Sequence, residues 1–388
     1  MSRAHRYDVV VVGAGAVGSA LCLALATRGF HVAMVEGSGL PPTSALRTSA
    51  VTAGSLAWLK SLGVWPNSEI PAAALLSLHI EDARGQGRLR FDSADLGTAG
   101  LGVIASHAAL EQVLRERARG VPDTAWYTET AQAVHHRDRD IQVELAGGTL
   151  VTGSLVVAAD GRHSRIREQL GVRSWQFQYG QRAIVADIAL GATHEGVGFQ
   201  RFLPDGPIAL LPLPDSRKSS LIWSTRADAA ERLLALADED FNMALSEAFG
   251  DRLGSLAVVT RRESFPLSAG HASTYTGARF ALIGDAAHQV HPLAGQGVNL
   301  GFGDAEALVR ALIACRGEDL GHSGALRRYE RERKATNVGM IVATHALNRA
   351  FAQRSRLIGQ ILATGLNVTN SLNPLKVFFM RQAGSGAP

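Results

Sequence analysis

At 388 residues and 46% hydrophobic, the chain can bury a sizeable core and hold two domains. Its net charge of +4 (39 basic against 35 acidic residues) comes with only 6% aromatics and no recognition motif, so no nucleic-acid partner is expected. No run of about 18 apolar residues occurs, which excludes a transmembrane helix. Cys22 and Cys315 stand far apart and read as free thiols of a reducing compartment, with no cysteine cluster for a metal.

Arg3, His5 and Arg6 ahead of an apolar run imitate a signal peptide. Asp8 interrupts that run and glycines follow at once, so residues 7–12 read instead as a buried central parallel strand. Gly13-Ala14-Gly15-Ala16-Val17-Gly18 comes next, then a helix to about Arg28 and a strand over residues 31–35 that ends at Glu36. This βαβ context turns a bare GxGxxG into a dinucleotide fingerprint. The glycines permit a tight turn, approach of the backbone to a pyrophosphate, and close helix–strand packing. Glu36 is placed to accept from ribose hydroxyls, and its charge argues for FAD or NAD over NADP.

Residues 82–92 read as a surface hairpin and 106–119 as an amphipathic helix with Leu110 and Leu114 on one face. Segments 130–136 and 141–145 alternate as strands. An apolar strand over 155–159 then ends in Asp160-Gly161, with a helix starting near Arg165. From 182 to 265 the texture becomes short β-segments (183–190, 199–203, 208–213, 219–225) with one helix near 239–249, which predicts an inserted, mainly antiparallel sheet domain. Basic residues gather between Arg316 and Arg356 and read as a solvated helix face laced by pairs such as Glu330 with Lys334.

The most informative stretch is residues 284–304, GDAAHQVHPLAGQGVNLGFGD. An apolar strand ends at Gly284, so Asp285 projects from a strand terminus, where a carboxylate suits polyol hydroxyls. The glycine-rich turn after Pro292 opens a helix whose N-terminus favours a polarisable or anionic ring edge. His291-Pro292-Leu293-Ala294-Gly295-Gln296-Gly297, followed by Asn299, Gly301 and Asp304, resembles position for position the signature of the ubiquinone-biosynthesis branch of the aromatic-ring flavin monooxygenases. The glycine fingerprint with Glu36, Asp160-Gly161 and Gly284-Asp285 together are similar to the three fingerprints of single-component phenol hydroxylases. The resemblance runs to about residue 380.

That resemblance implies an α/β fold: a Rossmann-like FAD-binding domain (residues 1–71, 101–178 and 271–325), a mainly antiparallel β-sheet substrate domain (72–100 and 179–270) and a C-terminal helical region (326–388). It implies FAD contacts from Gly13, Ala14, Gly15, Ala16, Val17, Gly18, Glu36, Arg47, Asp160, Asp285, Pro292, Gly295, Gln296, Gly297, Val298 and Asn299. Asp285 would take the ribityl chain, Asp160 would support the FAD and pyridine-nucleotide region, and residues 292–299 would face the flavin's pyrimidine edge. The implied reaction is O2-dependent hydroxylation of a polyprenylated phenol or benzoquinol in ubiquinone biosynthesis through a flavin C4a-hydroperoxide. The Pro292 carbonyl would be a hydroperoxide contact, and no catalytic side chain is named. Electrons come from NAD(P)H or a redox protein.

His107 stands where related enzymes often carry Arg, Gln or Asn, so no flavin-side hydrogen bond is expected from it. His288 and His291 lack metal-ligand spacing and are assigned to the flavin loop or to packing. A same-fold monooxygenase acting on another aromatic or secondary metabolite stays open. A flavin dehydrogenase, a halogenase or a non-catalytic nucleotide-binding protein fits less well, since no second GxGxxG in a βαβ context and no WxWxIP-like segment occurs. The apolar positions between 357 and 366, with Val377, Phe378, Phe379 and Met380 beside Lys376 and Arg381, allow two readings. One is a helix capping the flavin domain; the other is contact with a membrane or with other quinone-biosynthesis proteins. The implied location is cytoplasmic, peripheral to the inner face of the membrane, or on the matrix side in a mitochondrial form.

Overall fold

The computed structural model describes residues 6–37, 44–82, 86–291, 295–351, 356–372 and 376–377. In chain order, β1 (Arg6–Val12), α1 (Ala16–Ala26) and β2 (Val32–Val35) form the opening unit, and β3 (Thr48–Thr52) lies in a small three-stranded sheet. Next come β4 (Ser77–Asp82), β5 (Arg88–Asp92), α2 (His107–Arg119), β6 (Leu150–Ala158), β7 (Ser174–Leu190), β8 (Val197–Leu203), β9 (Gly206–Pro212) and β10 (Lys218–Arg226). They are followed by α3 (Ala227–Ala235), α4 (Asp238–Phe249), β11 (Glu263–Ala272), β12 (Phe280–Leu282), α5 (Gly297–Ala314), α6 (Ser323–Phe351) and α7 (Arg356–Ser371).

Two larger sheets organise these elements. In the first, β12, β6, β1 and β2 lie side by side and parallel, with Val9 opposite both Leu155 and Val32. Val9, Val10 and Val11 are fully buried, which is why this strand is an unbroken apolar run. Helix α1 is apolar almost all round because it packs on this sheet and against both α2 and α5. The strand registers bring the C-terminal ends of β1, β6 and β12 together, and all three functional motifs sit at those ends.

The second sheet is ordered β11, β7, β10, β9, β8, β4, β5 and is antiparallel except where β8 meets β4. Its residues Ile184, Leu210, Leu221 and Trp223 form a separate core with Phe241 and Leu245 of α4. The short strand His288–Gln289, inside the glycine-rich motif, pairs with β11 and stitches the two sheets together.

Several expectations are corrected. β7 begins at Ser174 rather than 183, because β11 pairs with its first residues; Trp175 and Phe177 there remain exposed, so no burial pattern marks the strand. Helix α3 was not anticipated. Among the described residues, helix α7 packs not on the flavin domain but on the free edge of β5, where Asn367 and Asn370 accept from the backbone N–H groups of Arg88 and Arg90, each at 2.9 Å. An edge strand with open N–H groups invites such a partner. Lys376, one of the basic residues named for the membrane-contact reading, is buried and pairs with Asp95 at 2.7 Å. Phe378, Phe379 and Met380 lie outside the described residues.

Candidate active site

Gly13 opens the first turn with φ of 109°, and a β-carbon there would collide with the Ala159 carbonyl. Only glycine serves at this point, where the first motif meets the Asp160 motif. Gly15 differs. It adopts ordinary extended backbone as the N-cap of α1, no side chain caps the helix, and a β-carbon on it would meet nothing within 4 Å. The α1 N-terminus therefore offers bare N–H groups to open space, an arrangement suited to a diphosphate. Ala14 and Ala16 are buried beside it, and the Ala14 carbonyl is occupied by Ser19 Oγ at 3.0 Å and Arg115 at 3.2–3.3 Å. Val17 fills the gap to the third motif: a β-carbon on Gly301 would come 2.5 Å from it, and one on Gly284 3.5 Å. Gly18 lies against the Gly13 carbonyl.

Glu36 follows β2 as expected, but it is not a bare acceptor. Arg115 Nε lies 3.2 Å and Arg119 Nη2 2.7 Å from its two oxygens. The arginines are four residues apart on one face of α2, which runs alongside. A carboxylate has about four lone-pair sites, so acceptor capacity remains beyond these two bonds.

Asp160 is partly buried. One oxygen accepts from Ser164 Oγ at 2.5 Å and the other from Ile166 N at 3.2 Å. Burial raises its pKa against these hydrogen bonds. With Ser164, the N-cap, it holds the short helix Arg165–Gln169, whose Arg167 reaches across to donate to the Ala286 carbonyl at 2.9 Å. Asp160 thus supports the site through structure.

Asp285 is exposed, and among the described residues its carboxylate makes no hydrogen bond or ion pair. The residues beneath it are the reverse. Asp304, fully buried on α5, accepts from Gly284 N at 3.0 Å, His288 Nε2 at 2.5 Å, Arg333 Nε at 2.8 Å and Asn337 Nδ2 at 3.0 Å. Burial pushes its pKa up, but His288 and Arg333 overcome this and hold it down to about 2. Arg333, counted in the solvated basic face on sequence grounds, is completely buried. No local signal separates it from its basic neighbours, because its partner lies on another helix. The network pins the turn that aims Asp285 outward.

Gly295 rests on β3, where a β-carbon would be 3.0 Å from Ala50 Cβ. Asn299 spends its side chain on β3, donating to Ala50 O at 2.7 Å and accepting from Thr52 N at 3.0 Å, so only its backbone is left to face a ligand. Gln296 is the buried N-cap of α5 and makes no side-chain cap; Gly297 beside it is open, and Val298 packs partly into the core. Among the described residues the α5 N-terminus, like that of α1, has no side-chain cap. Pro292 lies outside the described residues. Arg47 is exposed, and its guanidinium makes no hydrogen bond or ion pair among the described residues. His107 sits 2.7 Å from Ser49 Oγ, and burial, aided by the Arg47 charge, pushes its pKa down to about 3. It is a neutral structural link between α2 and β3. His291 is fully buried against Tyr179.

Among the described residues, two helix N-termini without a side-chain cap and an unpaired carboxylate all follow the C-terminal ends of strands of the parallel sheet, a set that fits a ligand carrying a diphosphate, a polyol and a polar ring. A profile for the family described as FAD binding domain matches residues 6–344. The ubiquinone hydroxylase UbiL of Rhodospirillum rubrum is 34% identical over 383 residues, covering 97% of this chain and 89% of that protein. The mitochondrial ubiquinone biosynthesis monooxygenase COQ6 of Homo sapiens is 34% identical over 427 residues, covering 95% and 91%. The chain belongs to the family of FAD-dependent ubiquinone-biosynthesis hydroxylases. It is an FAD-dependent monooxygenase. The crystal structure of p-nitrophenol 4-monooxygenase PnpA from Pseudomonas putida DLL-E4 shares the fold, with a TM-score of 0.79, 19% identity and 98% of both chains covered. Family members of this kind act on aromatic quinone precursors. Among the described residues no helix is long and apolar enough to cross a membrane.

Proposed function

We propose that this chain binds FAD along the line from Gly15 to Gly297 and hydroxylates the aromatic ring of a polyprenylated phenol or benzoquinol on the way to ubiquinone. The observation that carries the reading is Asp285: an exposed carboxylate, unpaired among the described residues, on a turn held by the buried Asp304 network. Such a group has no structural role in the bare protein, and a ribityl chain supplies the donors it lacks. The α1 N-terminus would take the diphosphate, with Glu36 at the ribose, steadied by Arg115 and Arg119. Arg47, Gly295, Gln296, Gly297, Val298 and the Asn299 backbone would border the flavin ring. When bound and reduced, FAD supplies the activation of O2 and the transfer of one oxygen atom. The chain's own part is to hold the ring close, keep water out and stabilise negative charge at the pyrimidine edge through the α5 dipole.

The reductant is NAD(P)H or a redox protein. A polyprenyl chain is nearly insoluble in water, so delivery from a bilayer or from a partner protein is physically reasonable. Exposed Val368 and Leu372 near the end of α7 support a peripheral contact of that kind. The location would be the inner face of a bacterial membrane, or the matrix side in a mitochondrion. Deleting the gene and identifying accumulated lipids by mass spectrometry tests the function. The expected result is a polyprenylated aromatic one hydroxyl short, restored by the wild-type gene. Unchanged ubiquinone without such a precursor overturns the reading in favour of another aromatic substrate.

A further inference from the structure

The second sheet has one face covered by α3 and α4. Cross-strand register places Val185, Ile222 and Ala209 in one row on the opposite face, and Asp187, Ser220 and Leu211 in the next. This face is turned toward the loop that opens α5. Ser220 Oγ lies 3.1 Å from Thr48 Oγ1, and two residues along β3 from Thr48 is Ala50, on which Gly295 rests. At its far end the same face is closed by α6, where Phe351 stacks on Phe202 with ring centroids 3.9 Å apart. The result is a mainly apolar floor under the proposed flavin position.

Two carboxylates lie in these rows, Asp187 and, beyond Val185 on β11, Glu263, which pairs with Arg261 at 2.5 Å. The Asp187 backbone is fixed, with N–H donating to Thr260 Oγ1 at 2.9 Å and the carbonyl accepting from Val259 N at 2.9 Å. Its side chain is half-buried, and among the described residues it makes no hydrogen bond or ion pair. Lys218, the cation that acts on it through its charge, pairs with Asp215 at 3.5 Å. Burial raises the Asp187 pKa, with Lys218 opposing. A half-buried carboxylate on an apolar surface is costly unless a donor satisfies it. Ser220, its cross-strand neighbour, is already engaged by Thr48.

We infer that Asp187 is a specificity-determining residue whose carboxylate accepts a hydrogen bond from the substrate's ring hydroxyl, holding the aromatic ring on the apolar floor. This rests on the aromatic-substrate reading above. The phenolic O–H donates and Asp187 Oδ accepts, which also enriches the ring in electrons at the positions to be hydroxylated. No bond to carbon forms or breaks in this contact.

The test is equilibrium binding to the FAD-loaded protein, using 2-farnesylphenol and its methyl ether, which lacks the donor. The wild type is expected to prefer the phenol by about 10–100-fold, as for a hydrogen bond to a charged group. Asp187→Ala should erase the preference while leaving the ether's affinity within about two-fold, by removing only the charged contact. Asp187→Asn, with a neutral acceptor of similar shape, should fall between and carries the test if the alanine variant does not fold. Equal binding of both ligands by the wild type, or an undiminished preference in either variant, overturns the inference while leaving the aromatic reading intact. Failure of the wild type to bind either ligand overturns the aromatic reading and this inference with it.

Discussion

Replacing Asp304 with asparagine removes a negative charge from the centre of a fully buried network while keeping its shape. Arg333 is itself completely buried, and among the described residues its Nη1 has no hydrogen-bond partner, so the variant leaves a buried guanidinium without the carboxylate it pairs with. Breaking a buried pair in this way costs about 3–5 kcal/mol. The ionisation of Asp304 gives a second measure. Its pKa falls from the ordinary 3.8 to about 2, which corresponds to about 2 kcal/mol of the total. Because the folded pKa is the lower one, this stabilisation is present above pH 3.8 and fades as pH falls through about 2. For 388 residues, a loss of about 3–5 kcal/mol lowers Tm by about 4–6 °C. Urea and thermal unfolding of the variant, followed by circular dichroism, provide the assay. FAD content should fall as well, since asparagine offers one acceptor oxygen where Asp304 offers two to Gly284 N, His288, Arg333 and Asn337, which loosens the turn that aims Asp285. Adding Arg333→Met should recover part of the stability by removing the stranded charge. A destabilisation below about 1 kcal/mol, or no rescue by the second change, would refute the idea that this network is held by charge.

Asp285→Ala should leave Tm unchanged, because the carboxylate has no protein partner, yet weaken FAD by roughly 1–3 kcal/mol; full flavin occupancy in a titration sinks the ribityl assignment. Gly15→Val should fold normally but lose FAD, since its β-carbon meets open space, whereas Gly13→Ala should lose stability before cofactor is considered. Paired melting and absorbance measurements separate the two, and equal melting losses would show that Gly15 is structural. Burial pushes the Cys22 thiol up to about 12, so in the native protein it should resist a thiol reagent at neutral pH and react only on unfolding. Rapid native labelling at that position would contradict its packing.

Much of this molecule was legible in one dimension. The opening βαβ unit is local: an apolar run, glycines at fixed offsets and an acid at the next strand's end specify strand, turn and helix from neighbours alone. The stretch from Gly284 to Asp304 likewise names a strand end, a carboxylate and a helix start within one short span, and the family follows from it. The antiparallel texture of the middle region was visible because strand periodicity is local too. Other features depended on distant partners. Glu36 meets Arg115 and Arg119 only because α2 lies beside β2. Arg333 is a surface residue by composition and a buried one in fact, because its helix packs its Asp304 partner against it. Asp187 looks like one more acid in an alternating strand until register sets it beside Ser220 and Thr48. Local spacing determines secondary structure and the motifs built on it, whereas a charge is buried, paired or left free according to what packs against it, and packing joins residues that the sequence keeps far apart.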